Sequence, residues 1–407
     1  MAGSSSIHGP APARRPTKNR RSRAAVKFSH RTIAFACLLA ALTGCNVADT
    51  SGRGVGDQAD AAAEEPDLRP AEERALEDRL YDIGSGFDGF LGMAVVDIAR
   101  EREVSYNGSE WFPQQSVSKL WVAIAALDEV DRGKLDLSEE ATVRYPDLTV
   151  FHQPIRKLVV ANGSFTASYD EFLRRALTES DNTANSMALV RVGGPKAIRS
   201  MFESKQLAGI RFGPGERLMQ SEIAAMEWDQ SYSLGKTFFE ARKLVPDDKR
   251  KAAFDAYVTD PVDGAQPASI AMALARLARG ELLSGESTTL LLGWLADAKS
   301  GPNRLKGGLP EGWSIAHKTG TGQVLDTVPP GVIGEQAGYN DIAILTAPDG
   351  SRYAVVVMIG RTKRPVPERM EMMHAVVGAV EDYHYAALGQ PKPTPKPAQA
   401  PAPGETP

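Results

Sequence analysis

Strand-like and helix-like segments occur in an order that leaves this chain few architectures. Short apolar runs of strand length stand near the front, at Phe90–Ile98, and near the back, at Ser314–Thr319, Asp341–Thr346 and Tyr353–Ile359. Between them, residues 168–300 carry longer helical patterns at Tyr169–Leu177, Asn182–Arg191, Ala268–Arg279 and Thr288–Ala298. A sheet must then collect strands from both ends of the chain, while the middle forms a helical lobe. Val104–Tyr106 reads as a hairpin partner of the first strand, and Ala347-Pro348-Asp349-Gly350 is a turn signal joining the last two strands. Helices over Ala71–Tyr81 and near Val366–Leu388 complete the pattern. The expected fold is α/β in content and α+β in layout: two lobes, an antiparallel sheet flanked by helices, and an inserted all-helical lobe.

The two ends read differently. Basic residues crowd Arg14–Arg31, and the apolar run Thr32–Leu42 follows, too short to span a bilayer but suited to a secretory signal. It ends in Leu42-Thr43-Gly44-Cys45, which resembles a bacterial lipobox. That implies removal of residues 1–44, lipidation of Cys45 and tethering to the periplasmic side of a bacterial membrane. Residues 45–70 then read as a flexible tether, 71–388 as one folded domain, and 389–407 as a Pro/Ala-rich tail.

The first 44 residues hold eight of the 47 Lys and Arg and none of the 51 Asp and Glu, so 39 basic residues face 51 acidic ones beyond them, a net of −12. Such a balance argues against nucleic acid as a partner. Cys37, the other cysteine, lies in the leader, so the mature chain has no disulfide and its core must hold by packing. Its four histidines, His152, His317, His374 and His384, form no zinc-like spacing. Neither a metal nor a cofactor is expected, and the chain is expected to act as a monomer.

A candidate nucleophile lies in Ser116-Val117-Ser118-Lys119, an S-x-x-K that opens an apolar helix over Ser116–Val130. Ser233-Leu234-Gly235-Lys236 has the same spacing without that context and reads as coincidence. Residues i and i+3 share a helix face, so Lys119 can reach the Ser116 hydroxyl, whereas Ser118 points elsewhere. A serine hydroxyl is a poor nucleophile until a base takes its proton, and a lysine can do so only if burial or a neighbouring cation lowers its pKa. Ser180-Asp181-Asn182 precedes a helical run and supplies a hydroxyl and an amide. Lys318-Thr319-Gly320, followed by Thr321, ends a strand and offers a cation and hydroxyls to a substrate carboxylate.

S-x-x-K, S-D-N and K-T-G in this order resemble the signature of penicillin-recognising serine enzymes, the class A β-lactamases and penicillin-binding proteins. Phe112-Pro113, Thr178–Ala184, Gly193-Gly194-Pro195-Lys196, Gly280–Leu283 and Leu309–Gly320 extend the likeness to class A over residues 75–385. The resemblance implies a β-lactam substrate attacked by Ser116, with Lys119, or Glu216 through water, taking the proton. It implies Ser180 as a relay, Asn182, Lys318, Thr319, Gly320 and Thr321 as substrate-binding residues, and an oxyanion site from the N–H groups of Ser116 and Thr321. The family spacing, 36 residues on from Ser180, lands on Glu216 as the residue that activates the deacylating water.

Several positions depart from the family pattern. Gln220 replaces an asparagine, Pro214 an arginine, and Asn185-Ser186 displaces an asparagine by one position. The segment from Glu216 to Asp263 is much longer than usual, carries a charged, helix-like stretch at Lys249–Tyr257, and reads as a lid. A second insertion, Gln323–Tyr339, displaces the region of a carboxylate-binding arginine. Two other functions stay open: a related enzyme acting on peptidoglycan peptides or another amide or ester, and a non-catalytic wall-binding module. Glu222, Glu227 and Asp229 read as surface acids, His317 as a packed strand residue and Trp121 as core. Phe151 and His152 read equally as gate or as packing.

Overall fold

The computed structural model describes residues 67–329 and 331–393. The expected leader, Cys45, the tether up to residue 66 and the tail beyond residue 393 lie outside the described residues. Five strands form one antiparallel sheet in the order Arg102–Tyr106, Gly89–Asp97, Arg352–Thr362, Gln336–Thr346, Ser314–Thr321. The two ends of the chain meet inside it, with Met93 opposite Val357 and Val95 opposite Val355.

Alternation along each strand sorts the side chains into two cores. Leu91, Met93 and Val95 join Val355 and Val357 under the helices Ala71–Ser85 and Val366–Ala387, against Leu80, Met373 and Val377. Ala94, Val96, Ile344 and Val356 face the other way and pack with Leu120, Trp121, Phe172 and Leu274 of the helical lobe. Each large apolar side chain so buried contributes roughly 1.5–3 kcal/mol. The helix Lys119–Asp131 is buried at every position from Lys119 to Leu127, as suits an element apolar on all sides at the centre of its lobe.

Three expectations need correction. The segment Ser116–Val130 is not one helix. A 3₁₀ turn covers Gln115–Ser118 and the α-helix begins at Lys119, because Gln115 has φ +55° and cannot start an α-helix. The long segment after Glu216 is more regular than the single helix-like stretch expected in it, which falls within Asp247–Thr259. It folds as helices Glu216–Ile223, Thr237–Leu244 and Asp247–Thr259, whose Met219, Ile223, Phe254, Tyr257 and Val258 form a small core with Leu325 and Ala337. The second insertion is shorter than Gln323–Tyr339, since Gln336–Tyr339 already belongs to a strand and Tyr339 pairs with Thr321. Gly338, at φ +84°, breaks the two-residue period there and hides the strand's start. Among the described residues no helix is long and apolar enough to cross a membrane.

Candidate active site

The turn carrying Ser116 is held from several sides. Its left-handed Gln115 stores strain of order 1–3 kcal/mol, so the surroundings must fix it. Asp263 Oδ2 accepts the Gln115 N–H at 2.7 Å, and Gln115 Nε2 donates to the Tyr257 hydroxyl at 2.5 Å. Gln114 Nε2 donates to the carbonyls of Arg211 and Asp263, at 2.9 and 2.6 Å. From the sheet side, Asn340 Nδ2 donates to the carbonyls of Pro113 and Gln114, at 2.7 and 3.1 Å. Gly320 permits this approach, because a Cβ there would lie 2.4 Å from the Gln114 carbonyl oxygen.

Lys119 Nζ donates to Ser116 Oγ at 2.6 Å, one turn away as the spacing requires. It also reaches Asn182 Oδ1 at 2.6 Å and Ser180 Oγ at 3.3 Å. Ser180 and Asn182 are aimed there by the cap between them. Asp181 Oδ1 accepts the N–H groups of Thr183 and Ala184 to start the helix Asn182–Arg191, and Oδ2 accepts that of Ile155. Ser180 takes φ +59° to make the turn. Asn182 Nδ2 donates to Glu216 Oε1 at 3.0 Å and to the Val150 carbonyl at 2.8 Å. Glu216 opens its short helix behind Gly215, whose φ of +103° suits glycine.

On the opposite wall Lys318 Nζ donates to Ser180 Oγ at 3.0 Å and to the Thr319 carbonyl at 2.8 Å. Thr319 Oγ1 lies 2.8 Å from Ser300 Oγ. Ser116, Ser180, Asn182, Glu216, Thr319 and Thr321 border one cavity of about 230 Å³.

Burial sets the charges. It pushes the Lys119 pKa down, although the Glu216 and Asp181 carboxylates pull it back up. It drives Lys318 well below the ordinary lysine value, helped by the positive Lys119 and Arg304. Glu216 is half-buried as a residue, but its carboxyl group is enclosed, and that desolvation raises its pKa against Lys119, Gln220 and Asn182. An amine inclined to lose its proton thus stands one amide away from a carboxyl inclined to gain one, which is the arrangement of an acid–base pair.

Residues 75–383 match the Beta-lactamase enzyme family. This chain belongs to that family. Its fold neighbours are class A β-lactamases, serine hydrolases acting on β-lactams. The extended-spectrum β-lactamase PER-1 of Pseudomonas aeruginosa is 29% identical over 292 residues, covering 71% of this chain and 80% of that one. β-Lactamase OXY-2 of Klebsiella oxytoca is 24% identical over 308 residues, 76% and 89% of the two chains. A solved β-lactamase from Chitinophaga pinensis superposes with a TM-score of 0.61 at 25% identity, over 76% of this chain and 99% of that one. An ancestral class A β-lactamase gives 0.56 at 28% identity, over 75% and 98%.

The site of this family member also contains residues that sequence reasoning missed. An arginine does reach this strand, from ahead of it: Arg304. It donates to the carbonyls of Gly320 and Asn340 at 3.0 and 2.6 Å and to Thr321 Oγ1 at 2.5 Å, with its guanidinium 3.8 Å from the Tyr339 ring centre. A single basic residue in the turn-rich S-G-P-N-R-L was the one available signal. Gln115, Tyr257 and Asp263 had none, because their meeting depends on the inserted helix. Gln220 is buried, donating to Gln115 Oε1 at 2.8 Å and accepting from Gln323 Nε2 at 2.9 Å.

The remaining candidates fall away from the chemistry. Ser118 Oγ donates to the Gln115 carbonyl. Ser233 donates to the Gln230 carbonyl and Lys236 is exposed, so the second S-x-x-K is no site. Asn185 Oδ1 is buried without a hydrogen bond. His317 packs against Asp341, Nδ1 to Oδ1 2.9 Å. Glu222, Glu227 and Asp229 are exposed, and Trp121 is core. Phe151 and His152 border the cavity, and Phe151 also packs against the small cluster of Val150, Ala224 and Phe238, so its position serves both readings. Among the described residues no group of three or more His, Cys, Asp or Glu could hold a metal ion.

Proposed function

We propose that this protein hydrolyses β-lactams through an acyl-enzyme on Ser116, freed by water that Glu216 activates. The observation carrying the reading is the unbroken chain Ser116 Oγ–Lys119 Nζ–Asn182–Glu216, with links of 2.6, 2.6 and 3.0 Å. Ser116 Oγ attacks the lactam carbonyl carbon as Lys119, or Glu216 through water, takes its proton. The N–H groups of Ser116 and Thr321 hold the oxyanion. As the C–N bond breaks, the proton passes by Ser180 to the departing nitrogen. Arg304, Lys318 and Thr319 hold the substrate carboxylate, whose negative charge opposes the downward shift that burial imposes on Lys318. Glu216 then takes a proton from water as it attacks the ester carbonyl, the bond to Ser116 Oγ breaks, and Lys119 returns a proton to Ser116 Oγ while Glu216 gives up the one it took. The lipobox-like Leu42–Cys45 supports an anchored enzyme on the periplasmic side of a membrane.

One feature favours a second reading, in which penicillin stays bound as it does on an enzyme of peptide substrates. Gln220, which stands where the family has an asparagine, shares its amide between Glu216, Gln115 and Gln323, which leaves less capacity to position water beside Glu216. Intact-protein mass spectrometry with a chromogenic cephalosporin decides. Rapid recovery of native mass, with a persistent adduct only in Glu216→Gln, supports the lactamase. A persistent adduct in the unaltered protein supports the second reading, and no Ser116-dependent adduct or turnover refutes both.

A further inference from the structure

Beside the nucleophile cavity lies a larger chamber of about 640 Å³, and the two share Phe151, His152 and Thr321 along their border. Its outer wall comes from the inserted helix Thr237–Leu244 and the turn before it. We propose that this chamber receives the acyl side chain of the substrate and selects β-lactams whose side chain carries an aryl ring and an anionic group. The proposal rests on the lactamase reading above and names its substrate class.

The wall is aromatic. Phe151, itself at φ +63°, stacks on Phe239 with centroids 5.6 Å apart and meets Phe238 edge-on at 4.8 Å. Tyr232 meets Phe238 edge-on at 5.8 Å. Phe238 is buried and anchors the group, whereas Phe239 stays 42% exposed, leaving a ring free to meet another ring. Chemically this is a hydrophobic slot with adaptable edge-to-face contacts, not a site for a small polar group.

The chamber's charge is positive. Arg242 donates to Gln323 Oε1 at 2.9 Å and to Asp326 Oδ2 at 2.7 Å, and Arg250 binds the other oxygen of the same carboxylate. Arg250 stands behind the wall and also pairs with Asp247, so in the wall itself Asp326 is one carboxylate beside Arg242 and Arg156. Arg156 borders the chamber as well, donates to the Ser233 carbonyl at 3.2 Å and forms no ion pair among the described residues. A guanidinium without a counter-ion beside an aromatic wall suits a carboxylate on an aryl side chain.

The test uses three penicillins with one nucleus and acetyl, phenylacetyl or α-carboxyphenylacetyl side chains. The second-order rate of Ser116 acylation is measured by intact mass in the unaltered protein, Phe239→Ala and Arg156→Ala. Phenylacetyl is expected to react about tenfold faster than acetyl, since an aryl group in such a slot contributes roughly 1–3 kcal/mol, and the carboxylate to add a further gain of a few-fold. Phe239→Ala should erase the first gain and Arg156→Ala the second, with the acetyl compound unchanged in both. Equal discrimination in all three proteins, or a carboxylate that slows the reaction, overturns the proposal while leaving the lactamase reading intact. If none of the three acylates Ser116, the reading falls and the proposal with it.

Discussion

Replacing Tyr257 by phenylalanine deletes one buried hydroxyl and the two hydrogen bonds through which the inserted helix grips the nucleophile turn. That hydroxyl accepts from Gln115 Nε2 at 2.5 Å and donates to Asp263 Oδ1 at 3.0 Å. Burial raises the Asp263 pKa to about 6, against the opposing pull of the Gln115 N–H and the Tyr257 hydroxyl. Its folded value lies above the model-peptide value of 3.8, so ionising it weakens the fold as pH rises through about 6. Removing a donor raises that pKa further and enlarges the loss.

At pH 5 Asp263 is mostly neutral, and losing a neutral bond costs about 1 kcal/mol; at pH 7.5 the carboxylate is charged and the loss is about 2 kcal/mol. These correspond to drops in Tm of about 3 °C and about 6 °C for a domain of this size. Thermal melts of both proteins at both pH values measure the difference. With Gln115 untethered, Ser116 acylation should also slow about tenfold, as expected when a reacting group is misplaced. Equal Tm losses at the two pH values would refute the link to Asp263, and no loss at all would refute the grip itself.

Arg304→Ala should lower kcat/KM for a carboxylate-bearing lactam by about 10-fold or more, the worth of a charged hydrogen bond. The same lactam as its methyl ester should lose much less, so the ratio of the two reports carboxylate binding. Asp326→Asn leaves Arg242 and Arg250 without their shared carboxylate. The cost should be about 2 kcal/mol, below that of a fully buried pair because Asp326 is 32% exposed. A clear fall in Tm is expected, with acylation by the acetyl penicillin unchanged within about threefold.

The order of strands and helices was legible because burial imposes periodicity directly on the residues that experience it. Asn182–Arg191 was bounded correctly, helped by the Asp181 cap that starts it. Ser116, Lys119, Ser180 and Lys318 were legible because their chemistry depends on local spacing and short motifs. Glu216 came from spacing alone, and the structure brings its carboxylate to Asn182. The break at Ser118 was not legible, since a left-handed Gln115 is imposed by Asp263, far along the chain. Arg304 was missed because its role is defined by the backbone of two strands it precedes. The packing of the insertions was not legible because neither has a core alone: Tyr257 and Val258 of the first need Leu325 of the second and Ala337 of the strand that follows it.

The pairing of Gly89–Asp97 with Arg352–Thr362 also bears on when the molecule can first exist. Lys318, Thr319 and Thr321 hang on a sheet whose inner strands lie more than 250 residues apart in sequence, so no fragment lacking the later strands can assemble the site. Closing such a distant contact is slow, and the sheet stays incomplete until its last strand is present. Activity is thereby withheld from any incomplete copy.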